Sequence, residues 1–176
     1  DTSVKSYPVI FSLADGGASR SGFWVAASLS YLEDRSQGKF SEHLFCLSGA
    51  SGDSVGNATF YNLLRSKDSL KVKEPGDTMM FHAATKYLKS DFLTFTLARM
   101  LGPDVFRHIL GLKFIDDRSA ALAHAMETSC GKENFLYDSM ATGLSQLVTQ
   151  TDKPYNRLPV LCINTTRMQD GSPAVI

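Results

Sequence analysis

The sequence has no excess of charge of either sign, because its 18 Lys and Arg residues are balanced by 18 Asp and Glu residues. A basic excess is typical of proteins that bind nucleic-acid phosphates, so we expect no nucleic-acid partner. The sequence also lacks any apolar run near the ~20 residues that a membrane-spanning helix needs. No basic start leads into an apolar segment at its beginning, so no signal peptide is visible. We therefore expect a cytoplasmic or membrane-associated protein rather than a secreted one.

Cysteine is scarce as well. Cys46, Cys130 and Cys162 are too few and too scattered for a disulfide framework, and none has a second Cys or His at the spacing of a metal site. Because Cys46 and Cys162 lie in apolar runs, we predict that both thiols are buried. We expect neither a metal ion nor an organic cofactor.

The composition is that of an ordinary globular domain. Apolar residues make up 43% and charged residues 20% of the 176 residues, which is enough apolar material for a core. A chain of this length corresponds to one domain, so residues 1–176 are interpreted as a single domain.

The first third of the chain alternates between strand and helix patterns. Apolar runs at Tyr7–Ala14 and Leu44–Leu47 each lead into a glycine-containing turn, and helical patterns follow at Arg20–Arg35 and from about Asp53 to Leu64. This alternation predicts an α/β fold with a mostly parallel sheet covered by helices. The broad apolar side of the first helix is expected to be formed by Phe23, Trp24, Ala27, Tyr31 and Leu32.

The remainder of the chain reads mainly as helix. The charged segment 67–77 is interpreted as a loop, and apolar residues then recur at helical spacing from Phe81 to Met100 until Gly102-Pro103 breaks the pattern. Shorter helices are expected near 104–110 and 117–127. A last strand is predicted at Pro159–Thr165, and Asp170-Gly171 between two apolar runs is a strong hairpin signal.

The amphipathic segment Phe81–Leu112 has two interpretations. Its apolar side packs against the sheet, which is the more common use of such a stripe. Alternatively, exposed side chains form a surface that meets lipid. The side chains that would form that surface are Phe92, Phe95, Leu97 and Met100.

The second glycine turn carries the strongest chemical signal. Gly49-Ala50-Ser51-Gly52 stands between a strand and a helix and has the form of a nucleophile elbow, in which small neighbours allow the sharp turn that exposes the Ser hydroxyl. The amide of Gly52 would then stabilise an oxyanion on the attacked carbonyl. The alternative is an ordinary turn in which Asp53 is the N-cap of the following helix.

The first glycine turn, from Asp15 to Gly22, presents backbone N–H groups that can bind phosphate or an oxyanion. It matches neither of the common nucleotide-binding motifs. The carboxyl ends of adjacent parallel strands meet in one crevice, so we expect this loop beside Ser51. The four histidines do not complete a Ser-His-Asp triad of the α/β-hydrolase type, in which the His comes last. We expect them at the surface or in helix packing: His43, His82, His108 and His124.

The two turns resemble the motifs of the patatin-like phospholipases, which are serine acyl hydrolases with a Ser-Asp dyad. Asp15-Gly16-Gly17 with Arg20 and Gly22 is similar to the family's oxyanion loop, and residues 49–54 are similar to its elbow. Further similarity to bacterial members extends over residues 89–101, 116–118 and 161–166. The resemblance implies a three-layer α/β/α fold with a mostly parallel sheet, and activity on the esters of lipids.

The same resemblance implies a role for each site residue. Ser51 would be the nucleophile, and Arg20 would brace the loop. The oxyanion donors would be the amides of Gly16, Gly17, Ala18 and Gly52. The expected partners are a lipid or other ester substrate and, peripherally, a membrane surface.

Two departures from the family pattern bear on activity. Asp53 stands where the family has Gly and brings a carboxylate close to Ser51, which would disfavour a developing negative charge unless it is turned away or paired. The family's dyad Asp lies in an Asp-Gly-Gly or Asp-Gly-Ala motif downstream of Asn164-Thr165-Thr166, so we expect it beyond Ile176, with residues 1–176 as part of the domain. Within the chain, Asp170 is a weaker candidate for the acid.

Three functions are thus open from the sequence. The first is a lipid acyl hydrolase that acts through an acyl-enzyme intermediate. The second is a catalytically silent patatin-like module with an interaction or regulatory role, which Asp53 and the missing acid favour. The third is a classical α/β-hydrolase esterase, which would need a late His.

Overall fold

The computed structural model describes residues 6–67, 78–111, 117–141 and 158–176, and only the backbone of Arg107 and His108. Apart from Lys67, the segment predicted as a loop at 67–77 lies outside these ranges. Within them, helices and strands follow one another in this order: β1 (Ile10–Ala14), α1 (Ala18–Arg35), α2 (Lys39–His43), β2 (Leu44–Ala50), α3 (Gly52–Arg65), α4 (Met79–Leu88), α5 (Thr94–Leu101), α6 (Pro103–Leu110), α7 (Arg118–Thr128), a 3₁₀ helix (Ser139–Ala141), β3 (Val160–Thr166) and β4 (Pro173–Val175).

The four strands form one sheet in the order β1-β2-β3-β4. The first three strands are parallel, with Ala14 beside Gly49 and Ala50 beside Asn164, and β4 returns antiparallel to β3. The carboxyl ends of β1, β2 and β3 therefore lie at one edge of the sheet. The α/β class, the mostly parallel sheet and the Asp170-Gly171 hairpin are confirmed.

The core lies between one face of the sheet and the helices. Leu47 on β2, Phe60 and Leu63 on α3, and Tyr87 on α4 have no exposed surface. The other face of the sheet carries apolar side chains that are more than half exposed, Leu13 among them at 77%. Only one helical layer is present among the described residues, so the three-layer arrangement stays a prediction.

Helix α1 buries a different side from the one predicted. Trp24 is 72% exposed, and Tyr31 and Leu32 are nearly half exposed, so the expected apolar side was wrong for these residues. The buried side consists mostly of small or polar residues: Gly22, Ala26, Ala27, Leu29, Ser30, Glu33 and Asp34. This side packs against α3 and α4. Close packing against α3 and α4 requires small residues on this side of α1. The hydrophobic pattern of the sequence does not reveal such a side, because small and polar residues give no hydrophobic signal.

A carboxylate from α1 caps helix α4. The side chain of Thr78, at the N-cap position, forms no capping hydrogen bond. Instead the two oxygens of Asp34 accept hydrogen bonds from the backbone N–H groups of Met80 at 3.3 Å and Phe81 at 2.9 Å. The cap satisfies donors that the helix itself leaves without partners and ties α4 to α1.

The predicted helix at Phe81–Met100 is divided into α4 and α5. Asp91 lies in the break, and its Oδ1 accepts hydrogen bonds from the backbone N–H groups of Leu93 at 3.1 Å and Thr94 at 2.9 Å. Hydrogen bonds from the side chain and then from the backbone N–H of Thr94 contribute most to lowering the pKa of Asp91, and the Leu93 N–H contributes less. Asp competes for backbone donors in this way and so favours a helix start over a helix interior.

Candidate active site

Ser51 occupies the turn between β2 and α3, at the carboxyl edge of the sheet. Its backbone has φ 54° and ψ −129°, a conformation that a residue with a side chain adopts at a cost of about 1–3 kcal/mol. The side chain is exposed and does not cap α3. A strained, exposed Ser at a sharp strand-to-helix turn is the geometry of a nucleophile elbow.

The packing around Gly52 holds this turn in place. A methyl group on Gly52 would overlap the carbonyl of Ala18 at the start of α1. On the other side, the Ser54 hydroxyl donates to the Gly49 carbonyl at 2.8 Å, and the Ser54 N–H donates to the Ser51 carbonyl at 3.1 Å. The turn is therefore clamped between the end of β2 and the first turns of α1 and α3.

The glycine loop after β1 lies directly against the elbow. The position of a Cβ on Gly16 is 3.6 Å from the Ser51 Cβ. Gly16, Gly17 and Ala18 have φ values of 94°, 150° and 60°, so the loop makes a sharp left-handed turn into α1. The structure thus brings together the loop and the Ser that the order of strands and turns in the sequence predicts side by side.

Asp53 is paired with this loop. Its Oδ2 accepts a hydrogen bond from the Gly16 N–H at 2.7 Å, and its side chain is 2% exposed. The N-cap position of α3 belongs to Ser51, and Asp53 lies inside the first turn, so the alternative with Asp53 as the N-cap was wrong. The pairing also engages the Gly16 N–H, which was one of the four expected oxyanion donors.

The N-termini of two helices meet at Ser51. Helix α1 begins at Ala18 with Gly17 as its N-cap, and α3 begins at Gly52. The first N–H groups of a helix have no intrahelical acceptor, and the helix dipole adds a partial positive charge there. The amides of Gly17, Ala18 and Gly52 are therefore the donors in this part of the chain that suit an oxyanion on a group bound to Ser51.

Arg20 was expected to brace the loop. Its side chain is exposed on the first turn of α1. Within residues 6–67, 78–111, 117–141 and 158–176 it forms neither a hydrogen bond nor an ion pair with the loop. The predicted bracing contact is therefore not found in the described part of the chain.

Asp170 lies in the hairpin between β3 and β4 and bonds within it. Its Oδ1 accepts hydrogen bonds from the Ser172 hydroxyl at 2.7 Å and the Ser172 N–H at 3.0 Å, and Arg167 lies 3.4 Å from Oδ2. The hydrogen bonds from Ser172 lower the pKa of Asp170, and the side chain is exposed. A carboxylate that must take a proton from Ser needs a raised pKa, so this environment is unfavourable for the dyad acid.

The described histidine side chains lie away from the elbow. A ring nitrogen of His43 is 3.1 Å from the Pro8 carbonyl, and the ring packs on Tyr7 with centroids 4.6 Å apart. His82 and His124 are exposed, as predicted. The side chain of His108 lies outside the described part of the structure.

The structure brings together two cysteines that the sequence separates by 116 positions. Cys46 on β2 and Cys162 on β3 have Sγ atoms 3.8 Å apart. Both are only partly buried, so the prediction of buried thiols was wrong for this pair, although Cys130 is buried. Burial, followed by the contact with Cys162, raises the pKa of Cys46. No group of three or more potential metal ligands exists among the described residues.

Helices α5 and α6 present an apolar surface to solvent. No residue of α5 is buried, so the interpretation in which this segment packs against the sheet was wrong for α5. Phe95 and Arg99 instead line a surface cleft of about 370 Å³ together with His124 and Ala125 of α7. Among the helices of the described ranges, none combines the length and the apolar character needed to cross a bilayer. The exposed side chains of α5 and α6 are Phe95, Leu97, Met100, Leu101, Val105, Phe106, Ile109 and Leu110.

No protein-family model matches the chain, and neither the curated proteins nor the solved structures contain a match.

Proposed function

We propose that this chain carries the nucleophile and oxyanion site of a lipid acyl hydrolase, of the phospholipase or esterase type. The observation that carries the proposal is the backbone of Ser51, held at φ 54° and ψ −129° beside the glycine loop. Strain of this kind persists where surrounding structure enforces it, and it is common at catalytic sites. The order of the two motifs along the chain supports a patatin-like enzyme.

In the proposed reaction, the Ser51 hydroxyl loses its proton to a base and its Oγ attacks the carbonyl carbon of an ester. The carbonyl oxygen becomes an oxyanion that the amides of Gly17, Ala18 and Gly52 stabilise. Collapse of this intermediate breaks the ester C–O bond, and the leaving oxygen takes the proton from the base. The alcohol is thereby released, and an acyl group is left on Ser51. Water then hydrolyses the acyl-enzyme to a carboxylic acid and restores the hydroxyl.

The proposed substrate class is an ester of a long-chain acid, presented at a lipid surface. Exposed apolar side chains on α5 and α6, such as Phe106 at 58% and Ile109 at 70%, support contact with such a surface.

The exposed face of the sheet supports a three-layer α/β/α arrangement. Leu13 and Phe11, exposed by 77% and 57%, suit the face that a second helical layer covers in a three-layer patatin-like domain.

The test is covalent labelling with a fluorophosphonate, which reacts with an activated Ser. We expect the wild-type chain to be labelled and Ser51→Ala to lose labelling. Ser28→Ala is the matched control because Ser28 is exposed on α1 and outside the site. Labelling of Ser51→Ala at the wild-type level would contradict the assignment of the nucleophile.

A catalytically silent patatin-like module is the second candidate. The observation in its favour is that Asp170 is bonded within its own hairpin, which leaves Ser51 without an identified base among the described residues. Labelling of the wild-type chain at Ser51 would contradict this module. If the wild-type chain is labelled, Asp170→Asn tests the acid, and we expect labelling to continue at the wild-type rate.

A further inference from the structure

We propose that Asp53 is a positioning residue that holds the oxyanion loop against the nucleophile elbow. The inference rests on the proposed function of Ser51. The patatin-like pattern has Gly in place of Asp53, and Gly has no side chain that could hold the loop. Asp53 acts through the Gly16 amide, to which it is bonded, and not by contact with the substrate.

The contact is short, and its acceptor is buried. The 2.7 Å hydrogen bond from the Gly16 N–H to Asp53 Oδ2 joins residues 37 positions apart in the chain. With the side chain 2% exposed, water does not compete for the carboxylate. A hydrogen bond to a charged acceptor is about twice as strong as one between neutral groups.

The loop needs such a tether because its backbone is unfavourable. Three successive residues, Gly16, Gly17 and Ala18, have positive φ, and Ala18 has a side chain that makes this conformation costly. Gly17 and Ala18 are also exposed, so little side-chain packing holds them. The Asp53 hydrogen bond fixes the start of this run relative to α3.

The charge of Asp53 is placed where α3 favours it. Asp53 lies in the first turn of α3, where the helix dipole stabilises a negative charge. Its Oδ1 is buried without a hydrogen-bond partner among the described residues. The Gly16 N–H is thus the donor on which the carboxylate depends, and loss of this hydrogen bond would leave a buried carboxylate unsatisfied.

The tether also divides the roles of the loop amides. The N–H of Gly16 is engaged by Asp53, so the following amides, of Gly17 and Ala18, remain for an oxyanion. Removing the carboxylate frees the Gly16 N–H but releases the loop. We expect the second effect to dominate, because a misplacement of about 1 Å can cost roughly a hundredfold in rate.

The experiment compares Asp53→Ala with Asp53→Asn, which keeps the shape of the side chain and a carbonyl oxygen that can accept the bond. The first readout is the amide proton of Gly16 in chain labelled with ¹⁵N-glycine. We expect its resonance to move upfield in Asp53→Ala and by a smaller amount in Asp53→Asn. A Gly16 resonance at the wild-type position in Asp53→Ala would overturn the tether.

The second readout is the rate of fluorophosphonate labelling, with ester hydrolysis followed for kcat and KM. We expect Asp53→Ala to be labelled at least tenfold more slowly, with a lower kcat and little change in KM, and Asp53→Asn to recover part of the rate. A rate in Asp53→Ala equal to or above that of the wild-type chain would overturn the positioning role. Circular dichroism establishes that each variant is folded, and Asp53→Asn alone carries the test if Asp53→Ala is not.

The two proposals fail in different ways. If the wild-type chain and Ser51→Ala are labelled equally, the proposed function fails, and the positioning role in catalysis fails with it. If Ser51→Ala abolishes labelling while Asp53→Ala labels normally, only the role of Asp53 fails. Ser28→Ala again serves as the control for a neutral surface change.

Discussion

Replacing Gly56 by Ala tests the packing that holds the two halves of the site together. Helices α1 and α3 approach closely where Gly22 faces Gly56. A Cβ on Gly56 would lie 3.0 Å from the Cα of Gly22 and nearer still to its carbonyl oxygen. Since ordinary contacts of this kind begin near 3.4 Å, the helices must move apart by several tenths of an ångström or more.

The expected loss of stability follows from two opposing effects. Overpacking a close contact costs about 1–3 kcal/mol. Ala in a helix interior is more favourable than Gly by about 0.5–1 kcal/mol, which offsets part of that cost. We therefore expect Gly56→Ala to lower the free energy of unfolding by about 1–2 kcal/mol.

Urea unfolding followed by circular dichroism measures this change. With an m value of about 2 kcal/mol per molar, the midpoint should fall by roughly 0.5–1 M urea. Ser28→Ala is the control, because Ser28 lies on the same helix as Gly22 but its side chain is exposed. We expect its free energy of unfolding to stay within about 0.5 kcal/mol of the wild-type value.

The same substitution should affect the site, because α1 carries the glycine loop and α3 carries the elbow. Labelling of Ser51 by a fluorophosphonate should slow at least tenfold in Gly56→Ala and remain unchanged in Ser28→Ala. A Gly56→Ala chain that is more stable than the wild type would refute the close contact between the two helices. A stability loss with labelling at the full rate would refute the link between this contact and the site.

Three further predictions concern residues outside the site. Asp34→Ala should lower the free energy of unfolding by about 1–2 kcal/mol, because the N–H of Phe81 loses its cap. Asp34→Asn should retain part of that stability. Equal urea midpoints for the wild-type chain and the two variants would contradict the cap. Cys46 and Cys162 are offset by two positions in the strand register, beyond the span of an unstrained disulfide, so thiol counting in denaturant after mild oxidation should still give three thiols. Because the pKa of Cys46 is raised, the rate of its alkylation should increase at a higher pH than the rate for free cysteine. A half-maximal rate at a lower pH than for free cysteine would contradict this environment.

The local features of this fold could be predicted from the sequence. Apolar runs that end in glycine turns gave the positions of β1 and β2, and the helices after them begin within two residues of the predicted starts. The Asp170-Gly171 turn and the elbow shape at Ser51 were predictable for the same reason. Each depends on the conformations open to a few consecutive residues.

One error concerns a contact between two helices, and another concerns a local side-chain hydrogen bond. Trp24 was placed on the buried side of α1, but the helix packs through Gly22 and Ala26, whose small size leaves no hydrophobic signal. Asp91 divides a helix that the apolar pattern predicts as continuous, because its hydrogen bonds to the backbone outweigh the periodicity.

By itself, the sequence determined the alternation of strands and helices and the choice of Ser51 as candidate nucleophile, because both depend on neighbouring residues. Only the tertiary structure decided what Asp53 does. From the sequence, Asp53 was a charge close to Ser51 that would oppose the reaction. The fold brings the Gly16 amide, 37 residues away, to within 2.7 Å of its carboxylate, and the amide N–H donates a hydrogen bond to it. The physical reason is that parallel strands bring distant turns to one edge of the sheet, and no local pattern specifies which atoms then meet.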